Sequence, residues 1–422
     1  MRAWPTALVW LLTRAAVVAL LCTQEHNVIG DVNYYRLSLD QLGRLHVAGT
    51  LVEYPVPALL LLWLPFALLD AVGHLGLYVA AVAVLAVLTD LAFMIALVGS
   101  RRWVRRRRFA GITAAEWAWL AAVPALGATT YARFDLAPGI LVGLALLFVV
   151  HRPVLAAGFG ALATGVKYWP AIVLPALAAP RSGRRAVVVA AAVVGGVLAL
   201  LSLALGGWHR LWTPFDYQDV RGLQIESVAA TPAMLAWGHG ASGYAVGYTE
   251  WKAYDVTGPL AEPLLHVATV ASLVTLVLAL LWWTLAWRKL GRGEDSAEPL
   301  VWLVLATVGC FMATNKVLSP QYLLWLLPAA AAGLVLLHGR AARVLAGWTL
   351  LLLLTTVLTH ELYPRQYGYL LGRFDGTDRV VDLLALRNLV LLVLVGYAAV
   401  RASLLLLRPG RRSQPRRPHG DR

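Results

Sequence analysis

The sequence predicts an all-α fold, a polytopic bundle of membrane-spanning helices. Three observations predict it. Of the 422 residues, 60% are hydrophobic and only 14% are charged, where soluble domains carry about 45–50% apolar residues. The apolar residues form long runs, and at about 20 residues per crossing there is room for about ten spans. The remaining charges are sorted. Twenty of the 36 Lys and Arg fall in five short blocks between apolar runs, at 101–108, 181–185, 288–292, 340–343 and 408–422. Such blocks mark cytoplasmic loops and meet anionic headgroups. The net charge of +14 therefore points to membrane lipids and away from nucleic acid. A soluble enzyme, a disordered chain and a disulfide-rich module are excluded. The two cysteines, Cys22 and Cys310, offer neither a disulfide framework nor zinc-ligand spacing.

The blocks order the elements. Residues 4–22 read as an uncleaved first helix leaving the cytoplasm, since Arg14 interrupts the apolar run and no small-residue cleavage site follows. Residues 23–54 form a polar outer loop. The block at 101–108 must lie inside, so only one full crossing fits between 55 and 99. The prolines at 55, 57 and 65 break helical hydrogen bonding, which makes 55–71 a re-entrant or interfacial segment and 73–99 the second span. Spans at about 112–130 and 136–150 follow. Residues 154–178, broken by Lys167-Tyr168-Trp169-Pro170, dip in and return. A span at 186–205 leads to a long outer loop, 206–263. Spans at about 264–287, 299–313, 322–337, 344–359 and 381–407, with an outer loop at 360–380, complete the bundle. The expectation is ten full spans plus two broken segments, both termini cytoplasmic, with one integral membrane domain (1–407) and a disordered basic tail (408–422).

Thirteen acidic residues, from Glu25 to Asp378, fall on the outer side of this scheme, and the outer loops are long. Long ordered loops usually carry function, so the working face is expected to be extracytoplasmic. Four constellations there can carry chemistry. In the first outer loop, Gly30-Asp31-Val32-Asn33-Tyr34-Tyr35 and Glu53-Tyr54-Pro55 supply a carboxylate with tyrosines, either a general base at the membrane surface or a solvated loop acid. Asn315-Lys316 opens into Ser319-Pro320-Gln321-Tyr322, so Lys316 either snorkels or holds a lipid phosphate. Arg133-Phe134-Asp135 and Lys167-Tyr168-Trp169-Pro170 set ionisable groups at membrane segments, where they are costly and often functional. Their plain readings are an Arg133–Asp135 pair and a Lys167 bonded to carbonyls freed by Pro170. Arg14 and Asp90 lie inside helices, and the sequence does not place them together. The loop aromatics Trp208, Trp212, Tyr217, Trp237, Tyr244, Tyr248, Trp251 and Tyr254 suit an interfacial belt or sugar contacts.

In this order, Gly-Asp-Val-x-x-Tyr, Glu-Tyr-Pro, Arg-Phe-Asp, Lys-x-Trp-Pro and Asn-Lys-Val-x-Ser-Pro-Gln-Tyr-x-x-Trp-Leu-x-Pro resemble glycosyltransferase family 87, over about Gly30 to Pro328. The sequence departs from the pattern at Val56, where a second proline is expected. That family includes polyprenol-phosphate-mannose-dependent mannosyltransferases and has the GT-C membrane fold. The resemblance implies a polyprenyl-phosphate sugar donor and a glycolipid or glycan acceptor at the outer face of the cell membrane. It implies Asp31 as catalytic base. Fixed cations near the leaving lipid phosphate would stabilise its growing charge, and Lys316 is the first candidate, Arg133 the second, with Lys167 beside them. Tyr35, Tyr54, Asp135, Gln321 and Tyr322 are the expected substrate contacts. With cations in that role, neither metal nor cofactor is required. The competing class is a multi-pass transporter or flippase of a lipid-linked or envelope substrate, which broken helices and intramembrane charges also suit. No internal repeat supports it.

Overall fold

The computed structural model describes residues 3–103, 108–292 and 297–408. Arg105 to Arg107 and the basic tail beyond Arg408 lie outside them. Among the described residues the chain is an all-α membrane-type bundle with two small antiparallel hairpins. In chain order the helices that build it are α1 (Trp4–Cys22), α2 (Gly30–Asp40), α3 (Val56–Ala71), α4 (Tyr78–Gly99), α5 (Ala114–Leu126), α6 (Leu136–Phe148), α7 (Pro153–Val166), α8 (Arg184–Gly206), α9 (Ala261–Leu290), α10 (Ala297–Thr314), α11 (Leu327–Leu336), α12 (Gly339–His360) and α13 (Thr377–Leu407).

Among the described residues seven helices are long and apolar enough to cross a membrane, namely α1, α4, α8, α9, α10, α12 and α13. Three of the ten expected spans are shorter. α5 carries Pro124 and stops at Gly127, whose φ of 65° is left-handed. α6 is only 13 residues long, and the run 322–337 divides into a 3-10 turn, Pro320–Trp325, and α11. The break expected in 55–71 is absent: Val56–Ala71 is one helix, with Pro55 before it and Pro57 in its first turn, where a missing N–H costs nothing, and Pro65 is accommodated inside it. The break expected in 154–178 is present: α7 ends at Val166, Lys167 is extended, and Trp169–Val173 is a 3-10 turn.

α8 and α9 expose Val and Leu along their outer faces, among them Val189, Val193, Leu200, Val270, Leu273 and Val277. α10 and α11 are buried nearly all round, as central helices must be. α6 packs on α11 and the turn before it through Gly139 and Gly143. A Cβ at Gly139 would sit 2.2 Å from the Leu324 carbonyl oxygen, and one at Gly143 2.6 Å from Pro328 Cβ. This is the small-residue contact through which membrane helices approach closely.

Two buried ion pairs tie the amino-terminal half together. Arg14 Nε donates to Asp90 Oδ2 at 2.8 Å, and Trp119 Nε1 and Tyr131 Oη also donate to that carboxylate, at 2.6 and 2.8 Å. Near the basic block, Arg101 pairs with Glu116, which also accepts from Thr6 Oγ1 at 2.9 Å.

Candidate active site

α1 ends at Cys22, and a 3-10 turn at His26–Ile29 leads into α2. Asp31 thus stands in the first turn of α2, where the helix dipole favours a carboxylate. Its Oδ1 pairs with Arg133 Nη1 at 2.9 Å. Arg133 is itself buried, and it donates from Nη1 to the Val28 carbonyl at 3.0 Å and from Nη2 to Tyr363 Oη at 2.6 Å. The Arg133–Asp135 pairing open from the sequence is therefore not formed. Among the described residues no group donates to Asp31 Oδ2. Asp31 lines a cavity of about 540 Å³.

Tyr35, one turn further along α2, is buried, and its hydroxyl lies 2.8 Å from that of Tyr54. Tyr54 is presented by a tight turn in which Leu51 has a φ of 47°. Arg210, only 1% exposed, gathers that turn. It donates to the carbonyls of Thr50, Leu51 and Val52 at 3.0–3.1 Å. Beside Tyr54, Glu53 Oε2 is buried with no hydrogen-bond partner. Burial pushes the Glu53 carboxyl above its ordinary range, against the pull of Tyr34 and Arg210.

Lys167 stands where α7 breaks. It bonds no freed carbonyl. Its Nζ donates to both oxygens of Asp135, at 2.7 and 2.8 Å, and Trp325 Nε1 donates to Oδ1 at 2.7 Å. Asp135 is 2% exposed and holds Lys167 rather than lining the cavity. Lys167 Nζ lies 5.5 Å from the ring centre of Tyr54, within cation–π reach. Trp325 stacks on Tyr322 and Trp169 at 4.0 and 4.5 Å. Tyr322 and Gln321 line the cavity. Four separate sequence segments thus meet at one place.

Lys316 does not join them. Its Nζ donates to the Asp219 carbonyl at 2.7 Å, and burial lowers its pKa below the usual lysine range. With Asn315 it caps a mostly apolar groove of about 440 Å³ beside α9 and α10. Gln218 lines both groove and cavity.

The outer wall comes from the loop 206–263. Tyr217, Arg221, Tyr248, Trp251, Lys252 and Tyr254 line the cavity, whereas Trp208 and Trp212 are exposed. Arg221 and Lys252 form no ion pair among the described residues. Glu226 lies in the same wall and is 1% exposed. Among the described residues no three His, Cys, Asp or Glu side chains gather closely enough to hold a metal ion.

A model of glycosyltransferase family 87 matches residues 53–314. The chain belongs to glycosyltransferase family 87. No curated protein and no solved structure matches it. The matched stretch contains Glu53, Tyr54, Arg133, Asp135, Lys167 and Glu226; Asp31 precedes it, and Lys316, Gln321 and Tyr322 follow it. Carboxylates, cations and aromatic side chains line the cavity together.

The sequence did not single out Arg210, Arg221, Lys252, Tyr363 or Arg387, and marked Glu226 only as one outer acid among many. Arg387 carried a readable signal, an arginine inside the apolar run 381–407. The others sit in polar loops, where pattern does not reveal which side chain turns inward.

Proposed function

We propose that this glycosyltransferase moves a sugar, mannose on the family resemblance, from a polyprenyl-phosphate donor to a glycolipid or polysaccharide acceptor at the outer face of the cell membrane. Asp31 is its general base. The observation that carries this reading is the state of the Asp31 carboxylate: Oδ1 pairs with Arg133, no group among the described residues donates to Oδ2, and Asp31 lines the cavity. A base must be fixed and within hydrogen-bond reach of the hydroxyl it deprotonates. The acceptor oxygen forms its bond to the anomeric carbon as its proton passes to Oδ2. The bond from that carbon to the phosphate oxygen breaks, and its electron pair leaves with the phosphate. Arg133, Lys167, Arg221 and Lys252 supply positive charge inside the cavity, and fixed cations stabilise a leaving anion most in a partly dry site. The groove capped by Lys316 suits an isoprenoid chain whose phosphate lies at the Gln218 end. Tyr35, Tyr54, Gln321 and Tyr322 face the sugars, with Asp135 holding Lys167 in place.

The test uses purified protein, labelled polyprenyl-phosphate mannose and membrane-lipid acceptors. Transfer without a vesicle gradient is expected, and gradient-dependent uptake without transfer would select the transporter. Asp31→Asn keeps the shape but cannot take the proton, so transfer per folded protein should fall about 10²–10⁴-fold. A rate within about threefold of the parent, far below that loss, removes Asp31 from the mechanism.

A further inference from the structure

Besides Asp31, two carboxylates line the cavity, Glu53 and Glu226, and the mechanism above uses neither; Glu226 is the more deeply buried. The loop that carries it is pinned on three sides. Gln224 N donates to the Lys316 carbonyl at 3.1 Å, and Leu318 N donates to Gln224 Oε1 at 3.2 Å. Ile225 N donates to the Tyr254 carbonyl at 3.0 Å. From α13, Asn388 Nδ2 donates to the Ser227 carbonyl at 3.3 Å and to Thr231 Oγ1 at 2.8 Å. The mount is rigid and belongs to the wall built around Lys316–Leu318.

The Tyr367 hydroxyl hydrogen-bonds the carboxyl group, and the buried Arg387 pairs with it at long range. Gln224 Nε2 donates to Oε2 at 3.2 Å, and Arg387 Nη2 reaches Oε1 only at 3.5 Å. The titratable and charged groups facing it are Arg387 from α13, Arg133 from the loop before α6, and Tyr363 and Tyr367 from the turns after α12. Burial outweighs the two arginines and pushes Glu226 up to about 7. An ionised carboxylate in the wall of a site that receives a phosphate would repel it. A neutral carboxylic acid there donates a hydrogen bond instead, and an arriving anion strengthens its hold on the proton.

We propose that Glu226 works in its neutral form, donating a hydrogen bond from its carboxyl O–H to a phosphate oxygen of the donor lipid. The assignment rests on the prenyl-phosphate reading of the donor. No covalent step is involved, and Asp31 remains the group that takes the acceptor proton.

The experiment measures binding of a short-chain prenyl-phosphate mannose to the full-length protein in detergent, at pH 6 and pH 8. This probe is a phosphodiester and keeps one charge at both pH values. A group titrating near 7 is mostly neutral at pH 6 and mostly ionised at pH 8, so the parent should lose about tenfold in affinity. Glu226→Gln keeps a donor and cannot ionise, so it should bind with near-parental pH 6 affinity at both values. Glu226→Ala should bind weakly at both. Flat binding by the parent overturns the proposal without any variant. So does a pH dependence that survives in Glu226→Gln, or a Glu226→Gln protein that is folded yet binds poorly at pH 6. If the parent ignores the probe altogether but transfers from a nucleotide sugar, the donor reading has failed and this proposal goes with it.

Discussion

Asp31 and Glu226 line one cavity in unlike surroundings. Asp31 is partly open and paired at 2.9 Å with a guanidinium; Glu226 is enclosed, with its arginine at 3.5 Å. The difference has a consequence for stability. A carboxyl raised from 4.5 to about 7 binds its proton more tightly in the folded chain than in the unfolded one. Stability is therefore fully kept below about pH 4.5 and falls as pH rises through about 7, by roughly 3 kcal/mol for this one group. Glu226→Gln removes the charge, so its melting temperature should gain on the parent's between pH 5 and pH 8. Parallel melting curves across that range would contradict the burial of an ionisable group here. Lys316 gives a second residue-scale expectation. If it guides the donor phosphate at the groove mouth, Lys316→Ala should lose more transfer at limiting donor than Lys316→Arg, because arginine keeps the charge while changing its shape. Equal rates for the alanine variant and the parent would leave Lys316 as a snorkelling residue.

Among elements, α1 is held by a charge rather than by apolar packing alone. The Arg14–Asp90 pair is buried, and two indole N–H groups and a tyrosine hydroxyl complete the carboxylate's hydrogen bonding. Removing one partner of such a pair strands the other, at a cost of about 3–5 kcal/mol. Asp90→Ala should melt well below the parent in detergent, and the double variant Arg14→Met with Asp90→Leu should recover much of the loss. An Asp90→Ala protein as stable as the parent would reduce the pair to an ornament of packing. The α6–α11 contact is steric. Gly139→Leu drives a side chain into the Leu324 carbonyl and should shift the protein to aggregate on size-exclusion chromatography. Leu324 lies in the turn that carries Gln321, Tyr322 and Trp325, so this close approach also sets the cavity floor.

For the whole molecule, charge sorting predicts which face carries the cavity. The basic blocks predict position 105 inside and Asp31 and Tyr244 outside. A cysteine at position 244 should label from outside intact cells, and one at 105 should not. Strong labelling at 105 would invert the scheme and move the cavity to the cytoplasmic side.

Sequence alone determined what depends on local free energies. Transfer of apolar runs into lipid, punctuation by proline and glycine, and the sorting of charge made the membrane bundle, the break at Lys167 and most helix positions legible. Arg133 and Lys167 stood out because ionisable groups beside apolar helices are costly to place without a reason, whereas Asp31, Tyr54 and Tyr322 stood out through motifs that resemble the family. Partners were decided only in three dimensions. Arg133 lies two residues from Asp135 yet pairs with Asp31, while Asp135 takes Lys167, 32 positions along the chain. Arg14 meets Asp90 across 76 positions and Arg387 meets Glu226 across 161. Such pairings depend on which helix faces meet, and on close approaches such as Gly139 to Leu324. Burial has the same origin: a glutamate in a polar loop is buried only when other elements close around it.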